Sequence, residues 1–253
     1  MRLHCLARQQ FGIISIIIIE EIFLNKLKWI IFVVITVGIF GVLVISSKSN
    51  QLDVSGVDIN AIQTANNQNG NIAEHISGKI GSKVTLMEYG DFQCPACGTA
   101  YTRIKPITDQ YKNQLQFVFR NFPLTSIHPN GKAAAGVVEA AGLQGKYWEM
   151  FDKIYTTQSA WSNLSGTERT TFFEKYASGL GLDTVKFTAD MASVPVNNKI
   201  SYDQAIGFKA KVEATPTYFL NGTKLDQTIS GDATKLKDAI NAELTKAGIA
   251  LPK

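Results

Sequence analysis

Residues 87–101 read MEYGDFQCPACGTAY, and the reading of this stretch decides how the rest of the 253-residue chain is understood. Val84, Leu86 and Met87 lead into it as an apolar strand over Lys83–Tyr89, and a short turn then delivers two cysteines at the start of a helix expected from about Cys94 to Lys112. Helix N-termini stabilise anions, because their first N–H groups lack partners and the dipole is positive there. Cys94 at the N-cap would therefore be the attacking thiolate, with its pKa below the free value of about 8.5. Pro95 falls on the first helical position, where proline loses no donor. Cys97, one turn on and facing inward, sits at disulfide distance, so the pair can close and reopen without moving the backbone. So small a ring costs little entropy to close, which makes the bridge a reversible electron carrier.

Two other readings of Cys-x-x-Cys stay open. Half a zinc site has this spacing but needs two more ligands, and the chain beyond the N-terminal apolar region offers no other cysteine and only His75 and His128. A purely structural disulfide is compatible with an oxidising compartment, although a four-residue ring stabilises little.

Outward from the motif, a second strand at Leu115–Asn121 completes a βαβ unit. Helical signal follows at Gly131–Leu143, Tyr147–Thr157, Thr167–Leu180, Asp183–Ala192 and Val196–Lys211. The aromatic face of Tyr147, Trp148, Phe151 and Tyr155 reads as core packing rather than a cofactor box. The chain returns to strand at Thr217–Leu220, turns at Asn221-Gly222, the strongest short hairpin signal, offers a short strand near Gln227–Ser230 and ends in a helix over Ala233–Lys246. Residues 46 to about 76, with NNQNGN at 66–71, show no period and read as a flexible linker.

Upstream, WIIFVVITVGIFGVLVI at 29–45 runs without a charge, at the short end of a bilayer span, and Ser46 and Ser47 extend it. Lys26 and Lys28 precede it, while Asp53 and Asp58 follow Lys48, so the positive-inside rule puts the N-terminus in the cytoplasm. The tract lacks an Ala-x-Ala ending and is expected to be retained as a signal anchor. The earlier run Phe11–Ile19 is too short to span; if residues 1–23 were untranslated leader, the chain would start at Leu24 as LNKLKWIIFVV. The first 45 residues hold four basic and two acidic residues, and the remainder carries 21 Lys and Arg against 19 Asp and Glu. So neutral a remainder lacks the basic surface that a nucleic-acid partner requires.

The run at 87–101, taken with TPTYFLNG at 215–222, resembles the DsbA-like branch of the thioredoxin superfamily over roughly Ile80–Gly248. The resemblance implies an α/β, thioredoxin-like fold with an inserted α-helical domain at about 122–214, preceded here by the N-terminal transmembrane helix. The expected organisation is a cytoplasmic segment at 1–28, an anchor at 29–47, the linker at 48–76 and the catalytic domain at 77–253. It further implies a cis Thr215–Pro216 bond, with Pro216 beside the sulfurs and the Thr215 backbone pairing with an extended substrate across Pro95 and Ala96. Glu88, six residues before Cys94, matches a carboxylate that DsbA-like proteins often carry, and would take the proton from Cys97; a rim carboxylate without a role is the alternative. Asp91 is expected in an exposed turn, and His128 in a loop entering a helix. The best-known DsbA-like oxidases have histidine where this chain has Ala96, a departure that bears on oxidising strength.

The implied activity is extracytoplasmic thiol–disulfide exchange on unfolded or newly exported cysteine-containing proteins, by a monomer without a cofactor. A quinone-linked membrane thiol oxidase would restore the disulfide. The alternatives are a reductase running the same chemistry backwards and a non-enzymatic chaperone or binding module on the same scaffold.

Overall fold

The computed structural model describes residue 26, residues 28–41 and residues 52–252. The chain divides into two units, Met1–Gln51 and Leu52–Lys253. In the first, residues 28–41 form a helix whose described side chains, Trp29, Phe32 and Phe40 among them, are exposed. No helix among the described residues is long and apolar enough to cross a membrane. The expected span ran over 29–47, and its last part, 42–47, lies outside the described residues.

The second unit is built on a five-stranded sheet in the order β1-β3-β2-β4-β5, with strands β1 (Ile76–Gly78), β2 (Thr85–Gly90), β3 (Gln116–Asn121), β4 (Thr217–Leu220) and β5 (Thr223–Lys224). β2 and β3 pair in parallel, Glu88 opposite Phe119, while β4 pairs antiparallel with β2, placing Tyr218 opposite Glu88. The central strands are buried on both faces, which is why β2 and β3 read as almost unbroken runs rather than alternating ones. Leu86, Phe117, Phe119, Tyr218 and Leu220 join one core with helices α1 (Pro95–Gln110), α2 (Gly131–Gly142), α3 (Tyr147–Thr156) and, after α4 to α8, α9 (Ala233–Lys246). Met87, Tyr89, Val118 and Phe219 face the other side, where α7 (Val194–Lys209) contributes Tyr202 and Ile206. By the period of two, Glu88 points to the α1 side, with Leu86.

Between β3 and β4 lies the helical insertion, α2 and α3 followed by α4 (Gln158–Trp161), α5 (Gly166–Gly179), α6 (Thr184–Met191) and α7. Asn221 and Gly222, both at positive φ, make the β4–β5 hairpin as expected. Gln227–Ser230 is not a strand but a short helix, α8: the Asp226 side chain accepts the Thr228 N–H at 2.7 Å and caps it.

A larger correction concerns the flexible linker expected over 48–76. From Leu52 onward the segment is strapped to the second face of the sheet, where Leu52, Val54, Val57, Ile59 and Ile62 pack against the core. The buried Arg120 guanidinium donates to the Ile59 and Ala61 carbonyls at 2.6 and 2.8 Å and pairs with Glu74. Lys209 donates to the carbonyls of Val54, Ser55 and Val57. The Asn-rich run closes on itself, since Asn69 is buried and its side chain bonds the Asn66 N–H and the Thr64 carbonyl. The strap ends in β1, antiparallel to β3.

Candidate active site

Helix α1 opens with Cys94 at its N-cap, in extended conformation at φ −64° and ψ 122°, and Pro95 in its first turn. No side chain caps the helix and no acidic residue occupies its first turn, so the free N–H groups are left to the Cys94 sulfur. The Thr215–Pro216 bond is cis, and the Thr215 carbonyl accepts from the Cys94 thiol at 3.4 Å. Both described cysteines are free thiols, Cys94 6% exposed and Cys97 fully covered. That small difference separates their chemistry. The Cys97 thiol foremost, then Thr215 and the main-chain N–H groups of Cys97 and Ala96, overcome partial burial and bring the Cys94 pKa down to about 5. Burial, the Cys94 sulfur and Glu88 push Cys97 well above the usual thiol range.

Glu88 is buried beneath the pair, and desolvation raises its pKa to about 8 against weaker opposition from Tyr218 and Arg103. The Tyr218 hydroxyl faces the carboxyl closely enough to act on it but falls short of hydrogen-bond geometry, so the contact is weak. A small cavity lined by Ser77, Tyr101, Lys105 and Asp152 reaches Glu88. A neutral carboxyl at this depth can give a proton to a sulfur, and its anion can take one.

The turn carrying the dithiol is held by the insertion. Gln158 of α4 donates to the carbonyls of Phe92 and Cys94 at 2.7 and 2.9 Å, and Gln93 donates to the Ser162 carbonyl at 2.7 Å. Asp91, expected in an exposed turn, is buried instead, because its carboxylate accepts the N–H groups of Gln93 and Leu124 and pairs with His128 at 2.7 Å. The Asp91 to Gln93 bond is an Asx turn, a local signal carried by the Asp-Phe-Gln sequence itself. Gln158 had no such signal, being 64 residues from its Cys94 partner. The two histidines that a zinc site would need are committed elsewhere, His75 to Glu139 and His128 to Asp91.

The structure thus brings Cys94, Cys97, Glu88, Thr215 and Pro216 together. Pro95 and Ala96 lie exposed at the helix start, and Ala96, Thr215, Pro216, Thr217, Leu225 and Gln227 line an open groove beside Cys94.

Residues 70–242 match the family model of the thioredoxin family. The chain belongs to the thioredoxin family. A thioredoxin-like oxidoreductase from Silicibacter pomeroyi DSS-3 has the same fold, with a TM-score of 0.56 at 23% identity over 71% of this chain and 97% of that one. Oxidised BdbD from Bacillus subtilis (TM-score 0.58, 18% identity, 73% and 98%) and alpha-DsbA1 from Wolbachia pipientis (0.59, 20%, 69% and 92%) share it as well. With its helical insertion and Cys-Pro-Ala-Cys helix start, this thioredoxin-family chain shares the fold of these proteins. Among curated relatives, it is 34% identical over 155 residues to a protein named Na(+)/H(+) antiporter NhaA 1 of Mycolicibacterium gilvum, a match that covers 60% of this chain and 24% of that protein. A second protein of that name, from Salinispora arenicola, is 35% identical over 151 residues, 60% of this chain and 22% of that one. The chain spans under a quarter of the length of these curated relatives, so most of each lies outside the match.

Proposed function

We propose that this thioredoxin-family protein works outside the cytoplasm, tethered to the membrane, and donates a Cys94–Cys97 disulfide to unfolded or newly exported proteins. The observation that carries the reading is the inequality of the two sulfurs, one slightly exposed with its pKa near 5 and one sealed with its pKa pushed well up. A substrate thiolate attacks Cys94 Sγ. The disulfide breaks, and Cys97 leaves with the electron pair and takes a proton from neutral Glu88. A second substrate thiolate then attacks the substrate sulfur of the mixed disulfide, so the substrate departs oxidised and Cys94 leaves as a thiolate. Stabilising that thiolate favours the reduced enzyme, which is what makes a disulfide oxidising. Two electrons have entered the enzyme, and a quinone-linked membrane thiol oxidase is the proposed partner that removes them.

The groove beside the Thr215 main chain supports an extended substrate segment added as a strand, a mode that reads backbone and tolerates many sequences. The charge-free run at 29–45, preceded by Lys26 and Lys28, is the sequence feature behind the proposed anchor and cytoplasmic N-terminus. One observation favours the reductase as a second reading: Ala96 puts no imidazole beside the thiolate.

The test is made on the full-length chain, with a reduced, unfolded two-cysteine protein as substrate. Cys94→Ser should abolish transfer and Cys97→Ser should accumulate mixed disulfides, because only the helix-cap sulfur is accessible; equal trapping by both would contradict the assigned roles. A reduction potential well below the poise of the compartment, as at the thioredoxin value of about −270 mV, would turn the reading to the reductase.

A further inference from the structure

Gly98 stands one turn into α1, where glycine is a poor helix former. A Cβ at this position would meet Gln158 Oε1 at 2.4 Å and Cδ at 2.9 Å. The bare backbone lets the Gln158 amide, from the first residue of α4, reach past α1 to the turn that carries the dithiol. There Nε2 donates to the Phe92 carbonyl at 2.7 Å and to the Cys94 carbonyl at 2.9 Å. An amide nitrogen has two hydrogens, and both are used. The Cys94 carbonyl also accepts the Gly98 N–H at 3.1 Å, whereas the Phe92 carbonyl has no second donor among the described residues.

Gln158 is itself well anchored. Trp161, one turn on, is fully covered, and its Nε1 donates to the Ile154 carbonyl at 2.9 Å. Ser162 Oγ donates to the Gln158 carbonyl at 2.5 Å, and the Ser162 carbonyl accepts from the Gln93 and Asn130 side chains at 2.7 and 2.9 Å. Phe92, Gln93 and Cys94 are thus all tied to one turn of the insertion. Cys94 is held extended as the N-cap, and no side chain competes with its sulfur for the first N–H groups of α1. The ionisable groups around that sulfur are Cys97 on α1, Glu88 on β2 and, in the turn and the loop against it, Asp91 with His128. The sequence of α4, Gln-Ser-Ala-Trp, has no ionisable side chain, so what it brings to the dithiol is a dipole and a fixed position.

We propose that Gln158 is a positioning residue for Cys94: through the Phe92 and Cys94 carbonyls its amide fixes the helix start so that the free N–H groups stay aimed at the sulfur, and Gly98 is the opening that admits it. The inference rests on the thiol–disulfide reading of the site. It makes the helical insertion part of what sets the reactivity of the dithiol. When the amide is withdrawn, the Phe92 carbonyl loses its donor, the Cys94 carbonyl keeps Gly98 alone, and the N-cap is free to turn. The sulfur then loses part of the field that favours its ionised form, and the reduced state is stabilised less.

Two readouts on the full-length chain test this. Alkylation by iodoacetamide across pH, followed on the Cys94 peptide, reads the thiolate; exchange with glutathione, which forms and releases a mixed disulfide on Cys94, reads the redox equilibrium. In Gln158→Ala the midpoint of the alkylation profile should move up by about one pH unit, and the equilibrium with glutathione should shift about tenfold towards the enzyme disulfide, or about 30 mV. Gly98→Ala keeps Gln158 but puts a methyl where its amide lies, so it should move both readouts the same way even though alanine is the better helix former. The double variant should go no further than the larger single one, because with no amide to displace the added methyl changes nothing. If Gln158→Ala does not fold, Gly98→Ala must show the shift alone. Unmoved readouts in either folded variant, or a double variant equal to the sum of the two, would overturn the role of Gln158. A wild-type chain that is alkylated at Cys94 yet never exchanges with glutathione would instead defeat the thiol–disulfide reading, and this inference with it.

Discussion

Glu88 and Glu139 are both shut away from water, on different helices and strands of one domain, and their pKa values move in opposite directions. Burial alone pushes either carboxyl up. At Glu139 it is more than cancelled by His75 at 3.0 Å, by Lys199 and by the Asn121 amide at 2.7 Å, and the pKa ends below the usual value. Glu88 has no cation within ion-pair distance among the described residues, Arg103 acts on it only from further away, and it ends near 8. On the strap side Arg120 pairs with Glu74 and Lys199 with Asp203. Asp203 stays raised by burial even so, yet it keeps its partner. Buried charges with partners fix how the strap and the insertion sit on the sheet. The carboxyl left without one stands next to the dithiol, where a group that exchanges protons near neutral pH is useful.

The severest test removes a partner on the structural side. Arg120→Met leaves Glu74 in the core without its cation, with the Gln63 N–H as its remaining donor, and breaking a buried pair in this way costs about 3 to 5 kcal/mol. The denaturation midpoint should fall accordingly, while Cys94 in the folded fraction keeps its alkylation rate. Adding Glu74→Leu should recover most of the loss, since replacing the whole pair by apolar residues is far milder. A double variant no more stable than the single one would show that Glu74 was not held by Arg120, and the contrast with Glu88 would lose its basis.

Removing the carboxyl that has no partner should do the reverse. In the reduced protein Glu88 has a folded pKa of about 8 against a reference of 4.5, so between those values the folded state keeps a proton that the unfolded state has released. Its contribution to stability is intact below pH 4.5 and is lost progressively as the pH rises towards 8. Glu88→Gln should therefore match wild type in acid and exceed it by a few kcal/mol at pH 8, measured by urea unfolding across the range. Release of glutathione from Cys94 should slow by about ten- to a hundredfold, because Cys97 has lost its proton acceptor. A stability gap that does not change with pH would mean that Glu88 stays ionised and belongs with Glu139.

The two regions also differed in how far the sequence revealed them. The dithiol was legible because its physics is local: strand, turn, Cys94 at the cap and Pro95 behind it lie within a dozen residues, and Thr215-Pro216 followed from a resemblance that pairs two short motifs. The strap was not. Leu52, Val54, Val57, Ile59 and Ile62 are spaced without the period of a helix or a long strand, and the groups that hold them, Arg120 and Lys209, stand 59 to 155 residues away. Asn69 and its neighbours read as flexible linker because nothing in an Asn-rich run says that its amides will bond one another. Asp91 is the instructive case between. Its Asx turn was readable, but its burial depends on Leu124 and His128, 33 and 37 residues on. At Gln227–Ser230 a capping Asp226 outweighed the apparent strand pattern.

The finest test concerns Ala96, exposed in the first turn of α1, with its N–H among the groups that favour the Cys94 thiolate. Ala96→His adds an imidazole at this position, beside a sulfur already ionised at neutral pH. Because Cys94 is a thiolate on both sides of the substitution, the rate of its attack should change little; what changes is the free energy of the reduced state. Lowering the Cys94 pKa by one further unit stabilises that state by about 1.4 kcal/mol, which for a two-electron couple is about 30 mV towards a more oxidising disulfide. Equilibration with a dithiol of known potential resolves a shift of that size. The effect is small because the imidazole is solvated and can turn away from the sulfur, whereas Glu88 cannot leave its pocket. A shift well beyond about 30 mV would mean that the helix start, and not the buried carboxyl beneath it, is the dominant control of the site.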